Sequence, residues 1–405
     1  MRLNQVNEGR TIATHLPAND ELESMHDGVD QPSEFVGDTL DENIDDNTTR
    51  MYIQNLNGLM WNKDGGRWSY VCETMDSIQA DISCFSELNV DTNQYAVRRQ
   101  METICQRQFT HNALILSTSK YKSPTLYKPG GTAILIRNNM TANVKSHTRD
   151  RMGRWTSVGI HTSSRKLRII SAYQVCQSVV RQGSSTIVSQ QMAQIIEESA
   201  ILDEYKRSNP RHAFIHDLTN FIRHAQSENE EIILVGDFNE DITTQDSGMG
   251  RLATACGLVD LFSVRLGSPM IPATHQRGTK RIDFVLMSST ILPTVTAAGY
   301  DPFGYRLPCD HRGMYVDFDT DALFRNSTIA LAPVNARDFT TTSPGSVEKY
   351  VTAKMQYLND HHFFERLSIL ENATQPNHEL AEALDRDFTR AALHGAKVCS
   401  KKQRS

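Results

Sequence analysis

From residue 51 the chain changes texture, as short apolar runs begin to alternate with longer stretches whose apolar positions recur every three or four residues. Runs of the first kind suit strands buried in a sheet, and the second kind suits helices with one apolar face. The runs predict strands over 51–54, 81–86, 113–117, 132–137, 156–161, 167–172, 231–236, 281–287 and 313–318. The periodic stretches predict helices over 67–79, 186–206, 211–226 and 251–256. Their interleaving marks a mixed α/β domain. Several runs stop abruptly at polar residues, as where Ile232-Ile233-Leu234-Val235 meets Gly236-Asp237-Phe238-Asn239. Strand ends of this kind hold loop side chains on a rigid base.

The same pattern sets the expected boundaries. Residues 51–320 form the α/β domain, 321–346 a linker whose later part is rich in Thr, Ser and Pro, and 347–405 a helical extension. Within that extension 347–370 and 378–399 have helical spacing, suited to packing on the domain or joining a partner. The longest apolar runs fall well short of the roughly 18–20 residues that cross a bilayer, so no membrane span is expected.

Composition adds two points. The seven cysteines are scattered, with no Cys-x-x-Cys pair and no zinc spacing, which fits reduced thiols. The N-terminus has no apolar core behind its early basic residue and does not read as a secretory signal, so an intracellular protein, nuclear or cytoplasmic and not secreted, is expected. The formal charge of −6 argues at first against nucleic acid, but residues 1–50 hold 12 Asp/Glu against 3 Arg, and the rest of the chain is therefore +3. Residues 1–50 are expected to be a disordered acidic leader, solubilising or masking a basic surface.

The polar residues at strand ends carry the candidate chemistry. In chain order they are Asn55 and Asn57 in NLNGL, Glu87 in CFSEL, Tyr173 in SAYQ, Asp237 and Asn239 in VGDFN, Asp283 in RIDFVL, and Asp310 and His311 in CDHRG. Any one of them is an ordinary turn or helix cap. Six such segments, all carboxylate, amide, imidazole or phenol, make up the inventory of metal-assisted phosphate-ester cleavage.

These segments resemble the endonuclease/exonuclease/phosphatase superfamily: N-x-[ND]-G-L at 55–59, the strand-end Glu87, the Tyr173 segment, GDFN at 236–239, [RK]-[IL]-D at 281–283 and DH at 310–311. The resemblance implies a four-layer α/β sandwich of two mixed β-sheets flanked by helices, and a phosphodiesterase dependent on Mg²⁺ or Mn²⁺. Glu87 would supply an anionic oxygen to the metal, with Asn55 and Asn57 beside it as neutral ligands or donors. Asp237 would orient or deprotonate the attacking water, and Asn239 would donate to a phosphate oxygen. Asp283 would hold and polarise His311, whose imidazolium donates to the same phosphate. Asp310 would be a metal ligand or an acid for the leaving oxygen, and Tyr173 would donate its phenol. Thr274 is a further phosphate contact, and His275 is structural. The identity of the base and the number of metals stay open. Two departures bear on substrate: Asn57 stands where many members carry Asp, and Gln174-Val175-Cys176-Gln177 follows Tyr173 where many have Pro or Arg and then Asn.

Within the superfamily the texture is closest to endonuclease domains of non-LTR retrotransposons, which implies a DNA-nicking enzyme with DNA as partner. An RNA or small-molecule phosphodiesterase and a catalytically idle binding module are the alternatives. Arg151, Arg154, Lys166, Arg277, Lys280 and Arg306 are candidate phosphate contacts.

Overall fold

The structure is a computed structural model of the chain. It describes residues 34–40, 44–62, 65–121, 125–177, 186–199, 209–244, 247–267, 270–327, 344–373 and 377–399. Most of the expected acidic leader and linker thus lies outside the described residues.

In chain order the strands are β1 (Val36–Gly37), β2 (Thr48–Asn55), β3 (Ile82–Ser86), β4 (Asn112–Ser117), β5 (Thr132–Arg137), β6 (Val144–Arg149), β7 (Trp155–His161), β8 (Lys166–Tyr173), β9 (Glu231–Asp237), β10 (Leu258–Asp260), β11 (Asp283–Ser288), β12 (Val295–Tyr300) and β13 (Met314–Asp319). The helices that bear on the site are α1 (Trp68–Ser77), α2 (Tyr95–Gln108), α3 (Ile187–Ser199), α4 (Pro210–Ser227) and α5 (Gly248–Ala255). Further on come α6 (Leu261–Leu266), α7 (Thr320–Leu323), α8 (Pro344–Asp360), α9 (Phe363–Glu371) and α10 (His378–Cys399). Asn209 caps α4, its side chain accepting from the His212 N–H at 2.9 Å, and Pro210 occupies the first turn, where its missing N–H costs nothing.

The strands form a seven-stranded sheet, β1-β12-β13-β2-β3-β5-β4, and a six-stranded sheet, β10-β11-β9-β8-β7-β6. Each sheet holds one parallel pair, β2 with β3 and β8 with β9, among antiparallel neighbours. Alternation along the strands sorts side chains between faces. Ile53, Cys84, Ile134 and Val316 from one sheet and Ile169, Ile233, Val235 and Val285 from the other fill a common core between the sheets. The opposite faces are covered by helices, with Trp68, Met75 and Met101 of α1 and α2 over Tyr52 and Phe85. Phe214 and Leu218 of α4 lie over Ile170, Leu234 and Phe284. The fold is therefore a four-layer α/β sandwich, helix on sheet on sheet on helix.

A buried ion pair joins two neighbouring strands of the seven-stranded sheet. Arg50 on β2 is almost fully buried and donates to both carboxylate oxygens of Asp317 on β13 at 2.8 Å, with a third bond to the Ile78 carbonyl. The C-terminal helices share a small core of Leu358, Phe363, Leu384 and Ala391, and Arg98 on α2 meets Glu382 on α10 at 3.6 Å. No helix among the described residues is long and apolar enough to cross a membrane.

Candidate active site

The edge at which both parallel pairs end carries the predicted residues. Asn55 closes β2 and Glu87 follows β3. Across the interface Tyr173 closes β8 opposite Asp237, which closes β9, and Asp237 also faces Asp283, the first residue of β11. Asp310 and His311 lie just before β13. Asn57, Glu87 and Asn239 all adopt left-handed backbone angles, with φ of 44°, 55° and 47°. Non-glycine residues held there store strain that the surrounding structure must maintain.

Asn55 is the centre of the hydrogen bonding. Its amide nitrogen donates to Glu87 Oε2 and to Asp237 Oδ2, each at 2.9 Å, so one side chain ties a carboxylate of the first sheet to one of the second. Its oxygen accepts from the Asn57 N–H at 2.9 Å, so of the two roles the sequence left open for Asn55, neutral ligand or donor, its hydrogen bonds are those of a donor. Asn57 in turn donates to Asp310 Oδ2 at 3.0 Å. Asn239 bonds back to Asp237 through its backbone N–H at 2.8 Å, and its amide reaches the Gln174 carbonyl at 2.9 Å.

His311 is buried, with Nδ1 2.9 Å from Asp283 Oδ2 and Nε2 3.9 Å from Asp237 Oδ2. Burial opposes charge on the ring, but Asp283, Asp237 and Asp310 outweigh it and raise the pKa to about 10. Burial, then Asp283, push the Asp237 carboxyl up, while His311 pulls it down. One proton shared by these neighbours answers both tendencies, and the charge of Asp283 favours its staying on the His311 ring. Asp310 is held below the usual carboxylate range, because His275, with Nε2 at 3.4 Å, and His311 outweigh its burial. Tyr173 is raised well above its ordinary value by burial and by Glu87 and Asp237, so it remains a phenol and a donor at neutral pH.

The donor set fits a hard divalent cation. Glu87, Asp237 and Asp310 offer carboxylate oxygens at one edge, and Asp310 Oδ1 is shielded from solvent with no hydrogen-bond partner. Among the described residues, two groupings bring ligand atoms within 4.8 Å of one another, Asp237-Asp283-His311 and His275-Asp310-His311, and neither includes Glu87.

Other expectations shift. Thr274 is fully buried, and its hydroxyl oxygen accepts from the Ile282 and Asp283 N–H groups at 3.0 and 3.1 Å. It fixes the start of β11, its oxygen committed to those two N–H groups where a phosphate contact was expected. Arg154 is buried against Asp150 and Asp217, and Arg306 is paired with Asp301, so neither is a solvent-facing phosphate contact. His275 and Asn57, which both hold Asp310, were not singled out as partners of it by their motifs.

Gly236 sets the approach of Asp237. Its φ is +135°, and a Cβ there would lie 1.9 Å from the Ala172 carbonyl oxygen of the parallel neighbour. Gly236→Ala is expected to cost about 1–3 kcal/mol and to displace Asp237, read as a lowered urea midpoint with loss of catalytic rate.

Similar solved structures include an AP endonuclease, LMAP, from Leishmania major, with 14% identity, a TM-score of 0.49, and 70% of this chain and 92% of that chain covered. They also include the endonuclease domain of TRAS1, a telomere-specific non-LTR retrotransposon, at 14% identity and TM-score 0.42, covering 67% and 99%. A 3′-5′ exonuclease from Neisseria meningitidis aligns at 16% identity and TM-score 0.44, covering 67% and 100%. No match to a curated protein was found. Residues 55–320, about two thirds of the chain, match the profile described as the Endonuclease/Exonuclease/phosphatase family, and the chain belongs to that family.

Proposed function

We propose that this phosphoester hydrolase is a metal-dependent phosphodiesterase that nicks the backbone of DNA. The observation that carries the reading is the Asn55 amide joining Glu87 to Asp237 beside the His311–Asp283 pair, which gathers acids and a charged imidazole from both sheets at one edge. Glu87 and Asp310 would hold a Mg²⁺ or Mn²⁺ ion, which when bound polarises the phosphate and offsets its charge. Asp237 orients the attacking water and accepts its proton. His311, kept as imidazolium by Asp283, and the amide of Asn239 donate to the phosphate oxygens as charge grows on them. Tyr173 supplies a phenolic donor to the phosphate or the departing oxygen. The +3 charge of residues 51–405 supports a polyanionic strand as substrate over a small neutral ester.

The test is nicking of supercoiled plasmid in Mg²⁺ or Mn²⁺, with an EDTA control and with poly(A) RNA and inositol phosphates as competing substrates. Glu87→Ala is expected to abolish nicking and to weaken metal binding at least about ten-fold by isothermal titration calorimetry. Cleavage of RNA or inositol phosphates with DNA left intact would overturn the DNA reading.

A further inference from the structure

Beside the catalytic edge, on the far side of Asn239, an open cleft of about 860 Å³ runs between the exit of β8 and the starts of α4 and α5. That volume is within the range of sites that take a nucleotide-sized ligand. Arg211, Arg251 and Lys280 border it against Glu240 and Asp241, leaving a cationic balance. Arg211 is held in place by the Val175 carbonyl at 2.7 Å and Glu240 at 2.9 Å, whereas Lys280 lies exposed at the rim. The first residues of α4 and α5 also line the cleft, with the first N–H of α5 already donating to Glu240.

Gln174 lines the same cleft. The alternation that sets Ile170 and Ala172 beneath α4 continues to Gln174, which is fully buried, and neither Nε2 nor Oε1 of its amide has a hydrogen-bond partner. Its backbone is fixed on both sides, the N–H donating to the Asp237 carbonyl and the carbonyl accepting from Asn239, each at 2.9 Å. A rigidly placed donor and acceptor side by side match the edge of a nucleobase.

We propose that this cleft is a nucleotide subsite, receiving the nucleotide next to the scissile phosphodiester with its phosphate against Lys280 and the start of α4 and its base edge against Gln174. The inference rests on the nucleic-acid reading above and names which residues discriminate within it.

Binding of a fluorescein-labelled single-stranded DNA 12-mer to the full chain, followed by anisotropy in EDTA, tests it apart from cleavage. Gln174→Leu is expected to raise Kd about ten-fold while leaving Tm unchanged or higher, because the amide it removes is unpartnered. Lys280→Glu is expected to weaken binding and lower the salt slope of log Kd by about one. Lys145→Glu, exposed at the start of the edge strand β6 and at the end of the sheet away from Tyr173, is the control and is expected to bind as wild type does. An unchanged Kd in Gln174→Leu overturns the subsite even if the wild type nicks plasmid, which would leave the DNA reading standing. Failure of the wild type to bind the oligonucleotide overturns the subsite, and failure to nick plasmid as well overturns both.

Discussion

Asp237→Ala is expected to fold normally and to nick plasmid about 10²–10⁴-fold more slowly than wild type. His311→Ala should fall in the same range, and the double variant should lose little beyond the worse single change, because residues acting as a unit are not additive. The geometry gives the reason. Asp237 accepts from Asn55 and from the Asn239 N–H while facing Asp283 across the strand pair and His311 beyond it. Removing His311 takes from Asp237 the cation that offsets its burial, and removing Asp237 takes from His311 one of the carboxylates that hold its charge. Single-turnover rates on all three variants, with circular dichroism to confirm folding, make the comparison. Multiplying losses in the double variant would show that the two groups act independently, against the arrangement described.

Arg50→Met is expected to destabilise the fold by about 3–5 kcal/mol, read from the shift in the urea midpoint. The loss comes less from the missing attraction than from Asp317, left buried with its partner gone, and from the Ile78 carbonyl, left without its donor. Arg50→Met combined with Asp317→Leu should recover much of the loss, since replacing both charges by apolar groups of similar volume is often neutral or stabilising. The nicking rate per folded molecule should change little, because the pair lies at the end of β2 remote from Asn55.

How much of this could be read from the chain depends on how strongly each element is dictated by burial. The central strands announce themselves, because β3, β5 and β9 are buried on both faces and read as continuous apolar runs. The edge elements do not: β6 reads VKSHTR with mostly polar positions, and β12 reads VTAAGY, whose small residues leave no apolar run. Helix α2 is hidden for a different reason, as only Val97, Met101 and Cys105, four residues apart, make up its buried stripe in an otherwise polar sequence. The first strand pairing begins at Val36–Gly37, inside a stretch whose composition is dominated by acidic residues. The site motifs were legible because strand ends and short apolar runs are local signals. What was not legible is where side chains turn once the chain is packed: that Asn55 would give its nitrogen to two carboxylates, that Thr274 would be spent on the backbone N–H groups of Ile282 and Asp283, and that the residue after Tyr173 would be an unpartnered amide beside a cleft. The Asn55–Asp237 bond alone joins residues 182 positions apart in the chain.

The two sheets repeat one plan. In each, a central parallel pair is flanked by antiparallel strands on both sides, three and two in the first sheet and two and two in the second, and the chemistry sits at matching places: Asn55 with Asp237, Glu87 with Tyr173, His311 with Asp283. On the proposed mechanism neither half would hold a working set, since the first contributes Glu87 and His311 and the second Asp237 and Asp283. Catalysis is then a gauge of how the halves are stacked: a loosened state that keeps every strand paired but lets the sheets slide by the length of one hydrogen bond would keep its secondary structure and fall silent, so activity should vanish before far-ultraviolet dichroism does.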